Sequence, residues 1–241
     1  MRTMVISQPM YFPWVGMLEQ MRLADVFVHL DDAQFSKGGF FNRVQVKTGQ
    51  GTSWLTVPLA ENQLSQPLNE IRLAAHDWRR KHLATLSQAY AKAPFVNSMT
   101  DLAQAVLERK HDSLAALCAD SMEGLADYFE IKPPEIQFSS QLGQEGGGSQ
   151  RVLAMCSTLG AERYITGHGA RDYLDHAAFD AEGIRVEYMD YEKCKYSQQH
   201  GSFTPYVSGL DLAANLGRTG REVVVSKPVY WKEFLREDMG Y

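Results

Sequence analysis

The stretch TMVISQPMYFPWVGMLEQMRLADVFVHLDD, residues 3–32, contains the pattern that decides the fold. It begins with a short apolar run that ends at Pro9, where the chain must turn. The apolar residues of the next segment recur at roughly helical spacing, at Trp14, Met17, Leu18, Met21 and Leu23. A second apolar run, VFVHL, follows and ends on two carboxylates. The pattern predicts strand, helix and strand, a compact form of parallel crossover.

The rest of the chain alternates predicted strands and helices. The runs FNRVQVKT and SWLTVPL flank Gly49 to Gly51 and predict a β-hairpin. The later runs EIQFSS, RYITG and IRVEYMDY predict further strands, and Asp77 and Ser149 are predicted to cap helices. We predict an α/β fold with a mainly parallel sheet and a helical insertion at about residues 76–132. A single domain over residues 1–217 would be followed by a polar, partly irregular extension over residues 218–241.

The composition is that of an ordinary soluble globular protein, with 44% hydrophobic and 22% charged residues among 241. A net charge of −5 argues against a broad nucleic-acid surface. We expect no membrane span, since no apolar run approaches ~20 residues, and no signal peptide. Cys118, Cys156 and Cys194 lack metal-ligand pairing and suit free thiols in a reducing compartment. We therefore expect a cytoplasmic protein and assign no metal site.

Polar residues follow the first two predicted strands at their carboxyl ends, where an open α/β sheet binds its ligands. Gln8 follows the first strand, and Asp31 and Asp32 follow the second. Gly16 lies in the first helical turn, where a ligand could approach backbone N–H groups. The residues of this region that we predict to bind substrate are Gln8, Tyr11, Trp14, Gly16, Asp31, Gln34, Asn42 and Arg43. A solvated loop position is the alternative for one of the two aspartates.

The same region combines acidic, basic and aromatic residues. Lys37 or Arg43 could bind a substrate phosphate, which leaves Asp32 to hold a hydroxyl, an amine or a divalent metal. Structural ion pairs among these groups are the alternative. The rings of Tyr11 and Trp14 could equally pack the helix onto the sheet. We favour ligand binding because the cluster is dense.

The motif YITGHGARDYLD supplies a candidate general base directly after a predicted strand. His168 is that candidate because the ordinary pKa of histidine lies near neutrality. Gly167 and Gly169 let the backbone turn sharply beside it, and Arg171 and Asp172 add polar contacts to substrate. Asp172 could also orient the histidine. A loop histidine with a satisfied hydrogen bond is the alternative.

The glycine-rich run GQEGGGSQ, residues 143–150, precedes a predicted helix and offers backbone N–H groups to a phosphate. It matches neither the dinucleotide-binding pattern Gly-x-Gly-x-x-Gly nor the Walker pattern, which needs a lysine after its last glycine. We interpret it as a flexible connector.

These motifs resemble the WbqC family, a bacterial group often associated with O-antigen and other surface-polysaccharide gene clusters. The segments that carry the resemblance are QPMYFPWVGML, ADVFVHLDDAQFSKGGFFNR, SWLTVPL, YITGHGARDYLD and FTPYVSGLDLAANLG, which run in order from residue 8 to about residue 217. The resemblance implies work on an activated sugar, with acyl or aminoacyl transfer to an amino sugar as the expected reaction.

The opening segment also resembles that of nucleotidylyltransferases, pantothenate synthetase and class I aminoacyl-tRNA synthetases. This resemblance implies a Rossmann-like sheet. Those enzymes use a His-x-Gly-His motif to stabilise the phosphates of ATP, whereas the chain has Trp14-Val15-Gly16-Met17 at this place. The glycine is kept and both histidines are absent, so we do not expect adenylyl transfer by the usual mechanism.

The leading hypothesis is a transferase of surface-polysaccharide precursor synthesis that uses a nucleotide-linked amino sugar and an acyl or aminoacyl donor. His168, Asp32 and Lys37 would be its catalytic residues, and backbone N–H groups at Gly167 to Gly169 would meet an oxyanion. An ATP-using ligase or nucleotidylyltransferase-like enzyme is one alternative, and a non-catalytic nucleotide-sugar-binding component is another. The sequence requires no cofactor, although Mg²⁺ or ATP would fit.

Overall fold

A computed structural model describes residues 1–36, 39–60 and 65–238. The strands are Thr3–Ser7 (β1), Val26–His29 (β2), Arg43–Thr48 (β3), Gly51–Thr56 (β4), Glu135–Phe138 (β5), Arg163–Thr166 (β6), Arg185–Asp190 (β7) and Lys227–Tyr230 (β8). The helices are Val15–Leu23 (α1), Trp78–Ala89 (α2), Val96–Leu107 (α3), Leu114–Tyr128 (α4), Gly148–Thr158 (α5), His176–Ala181 (α6), Gly209–Leu216 (α7) and Trp231–Asp238 (α8). Strands β1 to β7 occur where the sequence predicts them.

Six strands form the central sheet in the order β5-β2-β1-β6-β7-β8, and β3 and β4 form a separate hairpin. Neighbouring strands of the central sheet are parallel except for β7 and β8. The protein therefore has a mixed α/β fold with a mainly parallel sheet, as predicted. From β1 the chain proceeds outward to β2 and β5, and from β6 it proceeds outward to β7 on the other side. The strand order reverses between β1 and β6, where open sheets bind ligands.

The sheet separates two hydrophobic cores because its strands place alternate side chains on opposite faces. Val5 and Phe27 belong to the larger core, together with residues of α1, α2, α3, α4 and α7. Met4 and Val26 belong to the smaller core, together with residues of α5 and α6. All four side chains are fully buried. Removal of such a side chain from water contributes about 1.5–3 kcal/mol.

The turn between β1 and α1 is fixed by buried hydrogen bonds. The N–H of Phe12 donates to Oγ of Ser121 on α4 at 2.9 Å, and its carbonyl accepts from Oγ of Ser208 at 2.7 Å. Phe12 has a φ angle of 39°, in the left-handed region that residues other than glycine rarely adopt. These two hydrogen bonds hold it there and set the position of Trp14, which flanks the start of α1.

Helices α2, α3 and α4 lie between β4 and β5, in the range of the predicted helical insertion. Asp77 precedes α2 but makes no capping hydrogen bond, and it pairs with Arg80 at 2.7 Å. Ser149, also predicted as a cap, lies inside α5, and its hydroxyl accepts a hydrogen bond from the N–H of Asp175 at 2.8 Å. Among the described helices, none is both long enough and apolar enough to cross a membrane.

The segment after residue 217 adds an edge strand to the sheet, whereas the sequence pattern predicts a partly irregular tail. Strand β8 pairs with β7 in antiparallel register, from Glu187↔Tyr230 to Asp190↔Lys227. Helix α8 follows, and the ring of Phe234 stacks on Tyr188 of β7 with centroids 4.5 Å apart. A four-residue strand that contains a proline is too short to show an alternating pattern, and proline is tolerated only at an edge.

Histidine 82 on α2 makes the stability of the fold depend on pH. The ring of His82 is buried, and its Nδ1 accepts a hydrogen bond from the hydroxyl of Tyr11 at 2.9 Å. Burial lowers the pKa of His82 from 6.5 to about 4, against the opposing effect of a hydrogen bond with the backbone of Thr56. The unfolded chain therefore binds a proton at a pH where the folded protein does not. The contribution of His82 to stability is complete above its pKa in the unfolded chain. It is lost as the pH falls toward its pKa in the folded protein.

Lowering the pH from about 7 to about 4 should reduce the free energy of unfolding by about 3 kcal/mol through this histidine alone. Urea unfolding at several pH values would measure the effect. His82→Gln should lack this part of the pH dependence, whereas His76→Gln, at an exposed position before α2, should retain it. Identical pH dependence in wild type and His82→Gln would contradict the assignment.

Candidate functional site

A cavity of about 450 Å³ lies at the carboxyl ends of β1 and β6, where the strand order reverses. We call it the site cavity. Its polar and aromatic lining residues are Ser7, Gln8, Trp14, Gln20, Thr166, His168, Tyr173 and Tyr191. Its volume is typical of small-molecule sites, which measure about 300–1,000 Å³. Among the described residues that line it, none is Asp, Glu, Lys or Arg. The site cavity therefore suits an uncharged ligand group that forms hydrogen bonds.

His168 opens a short helical turn directly after β6 and lines the site cavity. Its Nε2 lies 2.6 Å from the carbonyl oxygen of Met189 on β7. Because a carbonyl oxygen only accepts, Nε2 must carry the hydrogen, and Nδ1 of the neutral ring is then an acceptor. The rings of Tyr191 and Phe234 flank the imidazole at centroid distances of 5.4 and 4.9 Å. The contacts fix the tautomer in which Nδ1 can take a proton.

Tyr191 and Gln20 form a polar pair on the wall of the site cavity. Nε2 of Gln20 donates to the Tyr191 hydroxyl at 2.6 Å. Burial raises the pKa of Tyr191 to about 12, with the Gln20 hydrogen bond acting in the opposite direction. The hydroxyl therefore keeps its proton at neutral pH. Since it already accepts from Gln20, it can donate that proton to a ligand oxygen.

The backbone of Gly167 lies close to this pair. A methyl group at position 167 would place its carbon 3.2 Å from the Tyr191 hydroxyl and 3.5 Å from Nε2 of Gln20. At Gly169 an added carbon would meet nothing within 4 Å. Gly167 therefore lets the backbone lie close to the Tyr191–Gln20 pair. At Gly169 no side chain lies close enough to require glycine.

Gly167→Ala should consequently be about 1 kcal/mol less stable than the matched variant Gly169→Ala, since the tyrosine–glutamine pair must shift to admit the methyl group. Comparison of two glycine-to-alanine variants cancels the effect of alanine on the unfolded chain. Urea unfolding of both proteins would test the difference. Equal stabilities would show that the pair tolerates the methyl group without cost.

The indole of Trp14 occupies the space beside Gly16. A Cβ at position 16 would lie 2.2 Å from the Trp14 ring, so this close packing requires glycine. The ring also contacts Tyr191 and Tyr206, with centroids 4.9 and 5.7 Å away. The sequence predicted that a ligand could approach the backbone at Gly16, and in the structure the side chain of Trp14 takes that place. Trp14 itself lines the site cavity beside Gln8.

Tyr11 is fully buried, and its ring contacts Phe12 and Trp78 with centroids 4.8 and 6.4 Å away. Its hydroxyl bonds to His82. Burial raises the pKa of Tyr11 well above its usual value. The structure thus places Tyr11 in the larger core, in agreement with the packing alternative for this ring.

Asp31 and Asp32 are held by protein groups on the side of the sheet occupied by β5. Asp31 is buried and accepts hydrogen bonds from Ser139, Ser140 and Asn69. Asp32 accepts from Ser139 at 2.6 Å and forms a two-point ion pair with Arg151 of α5. Burial opposes ionisation of Asp32, but the hydrogen bonds from Arg151 and Ser139 outweigh it and lower its pKa.

The site cavity includes neither of these aspartates in its lining, and β1 separates β2 from β6. Neighbouring strands are about 4.8 Å apart, so the ends of β2 and β6 are about 10 Å apart. The predicted roles of Asp31 and Asp32 in substrate binding and catalysis stay predictions. The contacts themselves tie the loops after β2 and β5 to α5.

The predicted polar residues of the hairpin region are spread over different places. Asn42 donates to the carbonyl of Val57 at 2.9 Å, and Gln34 donates to that of Ser65 at 3.1 Å. The guanidinium carbon of Arg43 lies 4.5 Å from the ring centroid of Trp54. Lys37 lies outside the described residues. Among the predicted cations within the described residues, Arg43 is the one that borders an aromatic ring.

Arg171 and Asp172 are exposed and form an ion pair with each other at 3.4 Å. The observed hydrogen-bond partner of His168 is the Met189 carbonyl, so the orientation of this histidine does not rest on Asp172. Gly169 lines the site cavity. The structure therefore brings together Gln8, Trp14, Gly167, His168 and Gly169 among the predicted site residues.

Gln20, Tyr173 and Tyr191 line the site cavity but were not among the predicted residues. Two signals in the sequence could have identified Gln20 and Tyr191. Gln20 is a polar residue on the inward face of a helix, and Tyr191 follows a predicted strand at its carboxyl end. Tyr173 lies in the motif that contains His168, with no pattern to distinguish it.

A second, larger groove of about 790 Å³ lies on the helical insertion. Five of its charged side chains pair with one another: Arg109 with Asp120, and Lys132 with Glu123 and Asp127. Across the described chain, no three His, Cys, Asp or Glu side chains are grouped as a metal site would require. The site cavity is thus the better candidate, because it lies at the reversal of strand order and a histidine lines it.

A comparison with protein families matches the WbqC-like protein family over residues 8–223. The uncharacterized protein Rv1507c of Mycobacterium tuberculosis (strain ATCC 25618 / H37Rv) is 32% identical over 220 residues, which cover 90% of this chain and 95% of that protein. No solved structure matches the chain. The matched residues include the whole polar lining of the site cavity except Ser7.

Proposed function

The chain belongs to the WbqC-like protein family, and from this premise we propose that it is a transferase that acts on an activated amino sugar bound in the site cavity. The reaction is acyl or aminoacyl transfer to the amine or a hydroxyl of that sugar. The observation that carries the proposal is the fixed tautomer of His168, a residue that lines an uncharged polar cavity. The family association with surface-polysaccharide gene clusters supports a sugar as substrate.

The lining of the site cavity supports recognition of a sugar ring. Gln8, Gln20 and Tyr191 offer neutral donors and acceptors, which bind hydroxyl and amide groups without burying a charge. The indole of Trp14 offers an apolar face. We also propose a Rossmann-like architecture, which the reversal of strand order between β1 and β6 supports.

The chemistry assigns one role to each of two side chains. Nδ1 of His168 removes the proton from the attacking amine or hydroxyl as the new bond to the acyl carbon forms. The Tyr191 hydroxyl donates a hydrogen bond to the acyl oxygen as negative charge develops on it. The bond from the acyl carbon to its carrier then breaks, and the leaving group takes the proton from His168.

Binding measurements would test the proposal. A thermal-shift panel should contain nucleotide-linked amino sugars, free amino sugars, free nucleotides and ATP. We expect a nucleotide-linked amino sugar to stabilise the protein, because a ligand at 100 times its dissociation constant adds about 2.7 kcal/mol. Gln8→Leu, which removes an amide from the cavity wall, should weaken this binding about tenfold. Gln50→Leu, an identical change on the exposed hairpin turn, should not.

Stabilisation by ATP alone would instead favour the ligase alternative. If Gln8→Leu and Gln50→Leu weaken binding equally, the ligand does not bind in the site cavity. Ligand binding without any chemical change to the sugar, in the presence of acyl and aminoacyl donors, would favour a non-catalytic binding component.

A further inference from the structure

A second cavity of about 370 Å³ lies on the side of the β3–β4 hairpin. We call it the aromatic cavity. Eight of the ten described residues that line it have apolar or aromatic side chains, among them Met10, Trp14, Phe40, Trp54 and Tyr206. Met10 and Trp14 also line the site cavity, so the two cavities are neighbours. A group bound in one of them would lie next to a group bound in the other.

Three rings of the aromatic cavity lie partly in water. Phe40, Trp54 and Tyr206 are 58%, 40% and 53% exposed, although burial of a large apolar side chain is favourable. Phe40 lies against Trp54 with centroids 5.9 Å apart, and Tyr206 lies against Trp14 with centroids 5.7 Å apart. Two ring pairs thus border one cavity, and contiguous exposed apolar surface of this kind is typical of a binding site.

The polar part of this lining is small. The other two described lining residues are Arg43 and Gln45. The guanidinium carbon of Arg43 lies 4.5 Å from the ring centroid of Trp54, so this cation already contacts an aromatic ring of the protein. None of the described lining residues is Asp or Glu. The aromatic cavity therefore offers a ligand mainly carbon surface, and its described part offers no carboxylate to a positive charge.

The proposed reaction needs a place for its second substrate. With the sugar in the site cavity, the acyl donor must bind beside it. An uncharged acyl chain gains free energy when it leaves water for apolar and aromatic surface.

An aminoacyl group or a nucleoside base would fit this lining less well. An ammonium group would lose its water with no carboxylate among the described lining residues to replace it. Tryptophan is the side chain that attracts cations most strongly, but Arg43 already lies against the ring of Trp54. A base could stack on the rings, yet its polar edge would find few side-chain partners beyond Gln45.

We propose that the aromatic cavity binds the acyl group of the donor and that this group is an uncharged apolar chain. The chain lies among the ring pairs, with its carbonyl carbon toward Met10, Trp14 and the site cavity. This inference rests on the proposed function, in which the amino sugar occupies the site cavity. In the transfer, the acyl carbon exchanges its bond to the carrier for a bond to the sugar nitrogen or oxygen. The proton that His168 removes from the sugar passes to the leaving group.

Binding of small amides would test the inference. Hexanamide presents an apolar acyl chain, and norleucinamide is the same molecule with an added ammonium group. Tryptophan fluorescence would follow both, since Trp14 and Trp54 line the aromatic cavity. We expect hexanamide to bind at least tenfold more tightly than norleucinamide. Butanamide, which is two methylene groups shorter, should bind about tenfold more weakly than hexanamide, because each buried methylene contributes about fourfold.

Matched variants would locate the binding. Tyr206→Ser removes a ring from the aromatic cavity and should weaken hexanamide binding about tenfold. Tyr173→Ser, the same change in the site cavity, should leave it unchanged. These tyrosines are 53% and 49% exposed, so both variants should fold. Gln45→Glu adds a carboxylate and should reduce the preference for hexanamide over norleucinamide about threefold or more. Gln50→Glu, on the exposed hairpin turn, should not.

Four outcomes overturn the inference: no binding of hexanamide, norleucinamide binding at least as tightly, equal weakening by Tyr206→Ser and Tyr173→Ser, or an unchanged preference in Gln45→Glu. Uridine binding that depends on Tyr206, without hexanamide binding, would assign the cavity to a nucleoside base and also overturn it.

The proposed function fails separately. If a nucleotide-linked amino sugar binds in dependence on Gln8 while hexanamide does not bind, the inference is overturned and the transferase proposal stands. If hexanamide binding depends on Tyr206 while Gln8→Leu has no effect on the linked sugar, the aromatic cavity is supported and the sugar site is contradicted.

Discussion

Replacement of His168 by glutamine is expected to lower kcat/KM for acyl transfer by about 10²–10⁴-fold, the usual contribution of a general base. The glutamine amide can keep the hydrogen bond that Nε2 of His168 donates to the carbonyl of Met189. It has no group that can take a proton at the position of Nδ1. The variant should therefore fold normally and bind the amino sugar with little change while the reaction slows.

The control for this experiment is His176→Gln. His176 stacks on Trp231 with centroids 4.6 Å apart, and its Nε2 bonds to the Tyr188 hydroxyl at 2.8 Å, but it does not line the site cavity. We expect its rate to stay within about threefold of wild type. If His168→Gln keeps the wild-type rate, His168 is a loop histidine that serves the structure only.

Replacement of Asp31 by asparagine is expected to destabilise the protein by about 3 kcal/mol. The carboxylate accepts hydrogen bonds from the Ser140 hydroxyl at 2.7 Å, the Ser140 N–H at 3.0 Å and the Asn69 amide at 3.4 Å, and it shares the Ser139 hydroxyl, 3.1 Å away, with Asp32. An asparagine offers one acceptor oxygen, and its NH₂ group would face other donors. Buried polar groups left without partners cost about 1–3 kcal/mol each.

Asp172→Asn is the matched control, because that carboxylate is 80% exposed and pairs only with Arg171 in the described structure. We expect a change within about 0.5 kcal/mol for it. Urea unfolding would give both values. A small stability loss in Asp31→Asn together with lost substrate binding would assign this aspartate to the substrate, as its position after β2 first indicated.

The order of strands and helices could be predicted because the relevant segments are locally consistent. β1, β2 and β6 are short apolar runs that end in glycine or polar residues, and α1 repeats apolar residues at helical spacing. Strand β8 could not be predicted in this way. Its four residues form a strand because β7 offers a free edge, which is a property of the assembled sheet rather than of the segment.

The sequence pattern indicated which residues lie close together where position along a strand decides exposure. Gln8 and His168 both follow strands at the reversal of strand order, and the structure brings them to one cavity. It was less informative for Asp31 and Asp32, which also follow a strand. Their partners Ser140 and Arg151 lie more than 100 residues away in the sequence, and no local pattern shows that such donors will meet them.

In the proposed reaction the activated sugar lies at the carboxyl ends of β1 and β6 beside His168. The most direct measurement is a crystal structure of the protein with the nucleotide-linked amino sugar that gives the largest thermal shift. We expect the sugar between Gln8 and Tyr191, with its nucleophilic nitrogen or oxygen within about 3.2 Å of Nδ1 of His168. Density for the sugar in the groove on the helical insertion, or next to Asp32, would contradict it.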